Sequence, residues 1–211
     1  MDKLRIPYLE GISAHEDELK QLFNSLPAHA IAQQPWPQYP YKSSARFKIA
    51  YSDEAILLNY LVEEQFMRLN SFASNDPVWE DSCVEFFISF DGERYFNLEF
   101  NALGVALVGY GTQDKSSRQR LEATAIDRIQ SFSGIRKVMQ GEAIQWDLGL
   151  YIPLSVFSQA NISNWRGLEC RANFYKCGDL LPNPHFQSWA PIIHPCPNFH
   201  LPEFFAPIEF E

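Results

Sequence analysis

Two glutamates, Glu85 and Glu99, are the residues whose type and spacing best suit chemistry. Both lie in DPVWEDSCVEFFISFDGERYFNLEFNALG, Asp76 to Gly104, where two apolar–polar alternations flank Asp91-Gly92. That pattern is a strong short-range hairpin signal. Side chains alternate faces along a strand. Val84, Phe86, Ile88 and Phe90 therefore share one face of the first arm, and Cys83, Glu85, Phe87 and Ser89 the other. In the second arm, Phe96, Leu98 and Phe100 form the apolar set, against Tyr95, Asn97, Glu99 and Asn101. A two-residue loop would set apolar residues opposite polar ones. The buried face fixes register, so the pattern predicts an odd loop, Asp91-Gly92-Glu93, with Gly92 at positive φ. Glu85 then faces Glu99, and Phe86 faces Leu98.

Opposed carboxylates repel unless something separates or uses them. Ligand hydroxyls, a cation or a nearby arginine would each serve. Paired carboxylates also hydrolyse glycosides, and directly opposed strand positions come nearer the retaining arrangement than the inverting one. A xylanase-like hydrolase using Glu85 and Glu99 is thus the enzyme reading. Catalysis needs environments that push two such pKa values apart, and no sequence feature supplies that. No G-x-S-x-G, Walker or dinucleotide fingerprint is present. Trp79 stands just before the hairpin, next to the polar face of Glu85, Asn97, Glu99 and Asn101. A pyranose has an apolar C–H face and a polar rim, which suit an aromatic ring and planar amides or carboxylates respectively. Arg171 and Asn173, on the polar side of a later strand, extend that face.

The surrounding chain has to hold this hairpin. With 211 residues, one large domain (1–211) is expected, with 1–44 as an N-terminal helix and loop extension. Aromatic residues at 15% and fourteen prolines favour strands and loops over helices. Ser13 with Glu16 predicts a capping box and a helix from Ala14 to about Asn24. Short alternating runs follow: Ala45–Tyr51, Ala55–Val62, the hairpin, Val105–Tyr110, Ile135–Met139, Ala143–Ile152 and Leu168–Tyr175. Residues 118–130 fit a strand pair or a short helix equally. Such spacing predicts an all-β fold, an antiparallel β-sandwich of jelly-roll or immunoglobulin-like type with one short N-terminal helix.

The net charge of −9 disfavours nucleic acid and anionic membranes as partners. The first residues, MDKLRIPYLEG, lack an apolar h-region, and no run approaches a membrane span. The expected location is cytoplasmic, with the extracellular space open to export by another route. Cys83, Cys170, Cys177 and Cys196 show no metal-ligand spacing and read as free, mostly buried thiols. The five histidines show none either, so no metal site is expected, with a zinc site on the cysteines as the alternative.

The ordered series WEDSCVEFFI (Trp79–Ile88), YFNLEFNALG (Tyr95–Gly104), WDLGLYIPL (Trp146–Leu154), CRANFYK (Cys170–Lys176), QSWAP (Gln187–Pro191) and PEFFAPIEF (Pro202–Phe210) resembles the family 9 carbohydrate-binding modules. The resemblance covers most of the chain after about Ala45. It implies an elongated β-sandwich that binds a mono- or oligosaccharide without chemistry. In such modules two tryptophans clamp a sugar ring, and the matching positions here are Trp79 and Trp189. The glutamate of the D-S-x-V-E motif accepts sugar hydroxyls, and here it is Glu85. An arginine of the following strand contributes in well-known members, and Asn97 stands near that place here. Structural calcium occurs in that family, without a residue-by-residue match for its ligands in this chain. Against these roles stand plainer ones: core or loop packing for both tryptophans, solvated or ion-paired strand positions (for example with Arg171) for Glu85 and Glu99, and a loop anchor for Trp36. A sandwich that has lost sugar binding and serves as an interaction module is the remaining alternative.

Overall fold

A computed structural model describes residues 2–41, 44–138 and 143–211. In chain order its main elements are β1 (Leu4–Ile6), α1 (Glu16–Ser25), β2 (His29–Ala30), β3 (Ser44–Tyr51), β4 (Ala55–Glu64), β5 (Cys83–Ser89) and β6 (Tyr95–Asn101). After these come β7 (Ala106–Gly111), β8 (Gln119–Arg120), α2 (Ala123–Ile126), β9 (Gln130–Lys137), β10 (Ile144–Pro153), β11 (Glu169–Gly178), β12 (His185–Ser188) and β13 (Ala206–Phe210). One sheet runs β1-β13-β11-β5-β6-β7-β8, with β12 also paired to β11. The other runs β2-β3-β4-β10-β9. The two sheets form the expected β-sandwich. Among the described residues the paired strands are antiparallel except β1 with β13. The N-terminal strands are woven in, because β1 joins one sheet and β2 the other.

The hairpin has the derived register: Glu85 faces Glu99, and Phe86 faces Leu98. Gly92 takes φ 82°, as the odd loop requires. The apolar face (Val84, Phe86, Ile88, Phe96, Leu98, Phe100) packs into the inter-sheet core with Phe47, Leu58, Tyr60, Trp146 and Leu148. Full burial of each such side chain contributes about 1.5–3 kcal/mol.

The second face of the hairpin is not solvated. Trp36 and the tail residues Ile192, Phe199, Leu201 and Phe205 cover it, packing on Phe87, Tyr95, Tyr175 and Cys177. Every residue of β5 and β6 is therefore buried. Helix α1 covers the outer face of the other sheet through Leu19 and Phe23. It starts at Glu16 with His15 as N-cap, not Ser13, whose hydroxyl instead bonds the Glu18 carboxylate. The ambiguous 118–130 segment holds both β8 and α2. Strand β9 extends back to Gln130, and the expected end of that pair at Met139 lies outside the described residues.

At one end of the inter-sheet core, Lys176 pairs with Glu64 at 2.9 Å, both side chains 0% exposed. Lys176 Nζ also lies 2.8 Å from His185 Nε2, and Trp146 Nε1 donates to Glu64 Oε1 at 2.6 Å. Burial first, then the Lys176 charge, lowers the His185 pKa to about 3, so the ring stays neutral. The network ties β4 and β10 to β11 and β12.

Candidate functional site

A cavity of about 450 Å³ opens on the covered face of the hairpin. That volume is typical of small-ligand sites. Its floor is Glu85, Asn97, Glu99, Leu107 and Gly109, neighbours across β5, β6 and β7. Trp79, Asp179 and Phe186 form one side. Arg118 and Arg120 come from the β8 region, and Asn198, Phe199 and His200 from the tail.

Local chemistry fixes each wall. Trp79 sits in a single 3-10 turn, Val78–Glu80. The loop before it is closed by Asp76, which accepts from the Phe72 and Ala73 amides at 2.9 and 2.8 Å. Asp81 anchors the other end, accepting from the Asn70 and Ser71 amides and from Asn101 Nδ2. The Asp179 amide donates to the Trp79 carbonyl at 3.1 Å, which binds the β11–β12 loop to the turn. The tail wall is pinned at several points. Asn173 Oδ1 accepts from the Ala190 amide at 2.9 Å, and Arg171 donates to the Phe205 carbonyl. Between these, Trp36 Nε1 donates to the His194 carbonyl, and Tyr95 OH bonds His200 Nδ1, each at 2.8 Å. Phe199 stacks on Tyr175 at 4.1 Å.

Arg118 is held from several sides. Its guanidinium donates to the Gly111, Thr112 and Tyr95 carbonyls and to Asn97 Oδ1. It also lies 3.9 Å from the centroid of the Tyr95 ring. Gly109 makes this possible, since a Cβ there would come within 2.5 Å of Asn97 Oδ1. Asn97 Nδ2 in turn donates to Glu99 Oε1 at 2.8 Å. The chain Arg118–Asn97–Glu99 thus presents donors and acceptors in a fixed array.

The two carboxyls are both perturbed upward. Burial dominates for Glu99, and the Asn97 hydrogen bond and the Arg118 charge oppose it, leaving the pKa at about 7. Burial also raises Glu85 well above the usual carboxylate range, helped by Cys177 and Glu99. That favours its protonated form. Its Oε1 accepts from the Cys177 thiol at 3.1 Å.

Four of the sequence-predicted residues, Trp79, Glu85, Asn97 and Glu99, converge on this cavity. Three do not line it. Arg171 and Asn173 share the covered face but bind the tail backbone, so they hold a wall in place. Trp189 is 7% exposed and packs edge-on against Phe47 and Phe174 in the inter-sheet core. The expected Trp79–Trp189 clamp is therefore corrected: Trp189 is a core residue, and Phe186 and Phe199 are the other aromatic groups at the cavity. Glu99 has Asn97 as its partner, not Arg171. Arg118, just before β8, donates to Asn97 Oδ1 and so brings an arginine beside the place where the resemblance implies one. Its position in a segment of undecided structure hid it. Asn198 and His200 were hidden by the irregular tail.

The family model for "Carbohydrate-binding family 9" matches residues 16–210. A candidate carbohydrate-binding protein from Bacteroides uniformis ATCC 8492 is similar at 33% identity, TM-score 0.89, with 99% of each chain covered. Two structures of a family 9 carbohydrate-binding module from Caldicellulosiruptor kristjanssonii share the fold. The glucose complex has TM-score 0.65 at 13% identity, covering 100% of this chain and 96% of that one. The cellotriose complex has 0.63 at 14%, covering 98% and 93%. No curated protein matches the sequence.

Proposed function

This chain belongs to carbohydrate-binding family 9, and from that premise we propose that the cavity over β5–β7 binds a saccharide without cleaving it. One observation carries the reading. The cavity sets aromatic surface from Trp79, Phe186 and Phe199 beside a fixed polar array of Glu85, Asn97, Glu99 and Arg118. Rings suit the C–H face of a pyranose, and the array suits its hydroxyls. Because Arg118 and Asn97 are already held, binding spends little entropy on ordering them. Glu99, with a pKa of about 7, accepts hydrogen bonds from hydroxyls when ionised. Glu85, held toward its neutral form, donates to a hydroxyl oxygen.

Related modules hold glucose and cellotriose, so glucose and its β-linked oligomers are the first ligands to test. Xylo-oligosaccharides form the second set. The binding reading is favoured over hydrolysis by the match to a carbohydrate-binding family over residues 16–210.

Calorimetric titration of wild type and Glu99→Gln with this panel tests the proposal, with chromatography of the sugars afterwards. The expected result is binding by wild type, weaker binding by the variant, and intact sugars. No binding by folded wild type across the panel would favour an interaction module instead. Sugar cleavage that is lost in Glu85→Gln would move the protein to the hydrolases.

A further inference from the structure

Cys83 and Cys177 are far apart in sequence, but they sit directly opposite each other across β5 and β11. Glu85 lies two residues beyond Cys83 on the same face, because side chains repeat every second residue of a strand. The two thiols and the carboxylate thus meet from adjacent strands, all three residues buried. One donor atom from each lies within 4.8 Å of the others, and Cys177 Sγ is 3.1 Å from Glu85 Oε1.

We propose that Cys83, Glu85 and Cys177 form a three-residue site for a thiophilic divalent cation of the Zn²⁺ type, with the fourth coordination position facing the cavity. The geometry fits. Zinc–sulfur and zinc–oxygen bonds of about 2.3 and 2.0–2.2 Å give tetrahedral edges of roughly 3.5–3.8 Å. The three donors reach those separations by small side-chain adjustments. Glu85 and Cys177 also line the cavity, so an ion has a route in and a water or ligand has room to complete the shell. Three protein ligands with one open position is the arrangement of accessible zinc sites, as opposed to closed structural ones.

Lys176 is next to Cys177 in sequence, but it is paired with Glu64 in the inter-sheet core. A bound cation would replace the protons on the three donors and supply the positive charge. Two sulfurs suit zinc and similar ions, whereas calcium prefers six to eight oxygens. This set is therefore not the structural calcium site of the family.

The proposal does not depend on the sugar reading, and it is tested with metal alone. The full chain, reduced and stripped with chelator, is titrated with Co²⁺. The expected signal is a thiolate-to-cobalt charge-transfer band with tetrahedral visible absorption. It should saturate at one ion per chain, release protons, and be displaced by Zn²⁺. Cys83→Ser and Cys177→Ser should each abolish the thiolate band at the same ion concentration. The Cys170→Ser/Cys196→Ser double variant should keep it, since neither residue belongs to the three-donor cluster. Glu85→Gln should retain the sulfur band with weaker affinity, which covers the case of a serine variant that fails to fold. Circular dichroism reports folding for each protein. Absence of the band in folded, reduced wild type would overturn the proposal. So would a band that survives in folded Cys177→Ser, or one lost in the double variant.

Discussion

Replacing Glu99 with glutamine should make the protein more stable near neutrality and above, while weakening its ligand binding. Glu99 is buried on the cavity floor and hydrogen-bonded to Asn97, and burial lifts its pKa from an ordinary 4.5 to about 7. Between these two values the folded state keeps a proton that the unfolded chain has released. Stability therefore falls as pH rises through that window. The contribution is complete below the unfolded pKa and lost as pH passes the folded one. A shift of this size corresponds to roughly 3 kcal/mol of cost for the ionised form. Glutamine has nearly the same shape, retains an oxygen for the Asn97 amide, and cannot ionise. Urea unfolding of both proteins at about pH 5 and about pH 8, with equal m-values as the check on comparability, measures the difference. The variant should gain a few kcal/mol relative to wild type between those conditions. Glu85 is shifted in the same direction, so a downward slope remains in the variant and only the difference is diagnostic. A wild-type-minus-variant difference that is flat with pH, or that favours wild type as pH rises, would refute the account of a buried, desolvated carboxyl.

Three further perturbations follow from the same geometry. Gly109→Ala would place a methyl group against Asn97 Oδ1, displacing the side chain that links Arg118 to Glu99. Sugar affinity by calorimetry should fall while far-ultraviolet circular dichroism stays unchanged. Asn173→Ala removes the clasp on Ala190 and should cost about 1–3 kcal/mol in urea unfolding. It should also weaken binding, because it frees the start of the tail wall, although Asn173 does not line the cavity. Glu64→Gln leaves the buried Lys176 ammonium without its ion pair, and thermal or urea unfolding should show a loss of about 3–5 kcal/mol.

The parts of the fold that were legible in the sequence are those governed by the two-residue strand period. The register of β5 on β6, the odd loop at Gly92 and the opposition of Glu85 to Glu99 all follow from that period and one buried face. What alternation does not report is which face meets water. The polar set of the hairpin reads as a solvated or ligand-facing surface, and the tail and Trp36 shield it from bulk water around the cavity. That cover is irregular backbone held by side-chain bonds such as those of Asn173 and Arg171, and it carries no periodic signal. Arg171 and Asn173 lie on the expected face, and their hydrogen bonds go to the tail backbone. The position of Trp189 was equally illegible. Its amide bonds the Phe174 carbonyl beyond the end of β12, and its ring turns into the core against Phe47. The Cys83–Cys177 pairing depends on β5 lying beside β11, a sheet order that local spacing does not reveal.

The central claim is that the ligand lies over β5–β7 against Trp79, and that Trp189 serves the core. Calorimetric titration of wild type, Trp79→Ala and Trp189→Phe with glucose and cellotriose tests it most directly. Loss of the stacking ring in Trp79→Ala should cost on the order of a kcal/mol or more, at least several-fold in affinity. Trp189→Phe, which keeps an aromatic ring in the core, should bind like wild type. Undiminished binding by Trp79→Ala together with loss of binding by a folded Trp189→Phe would contradict the account.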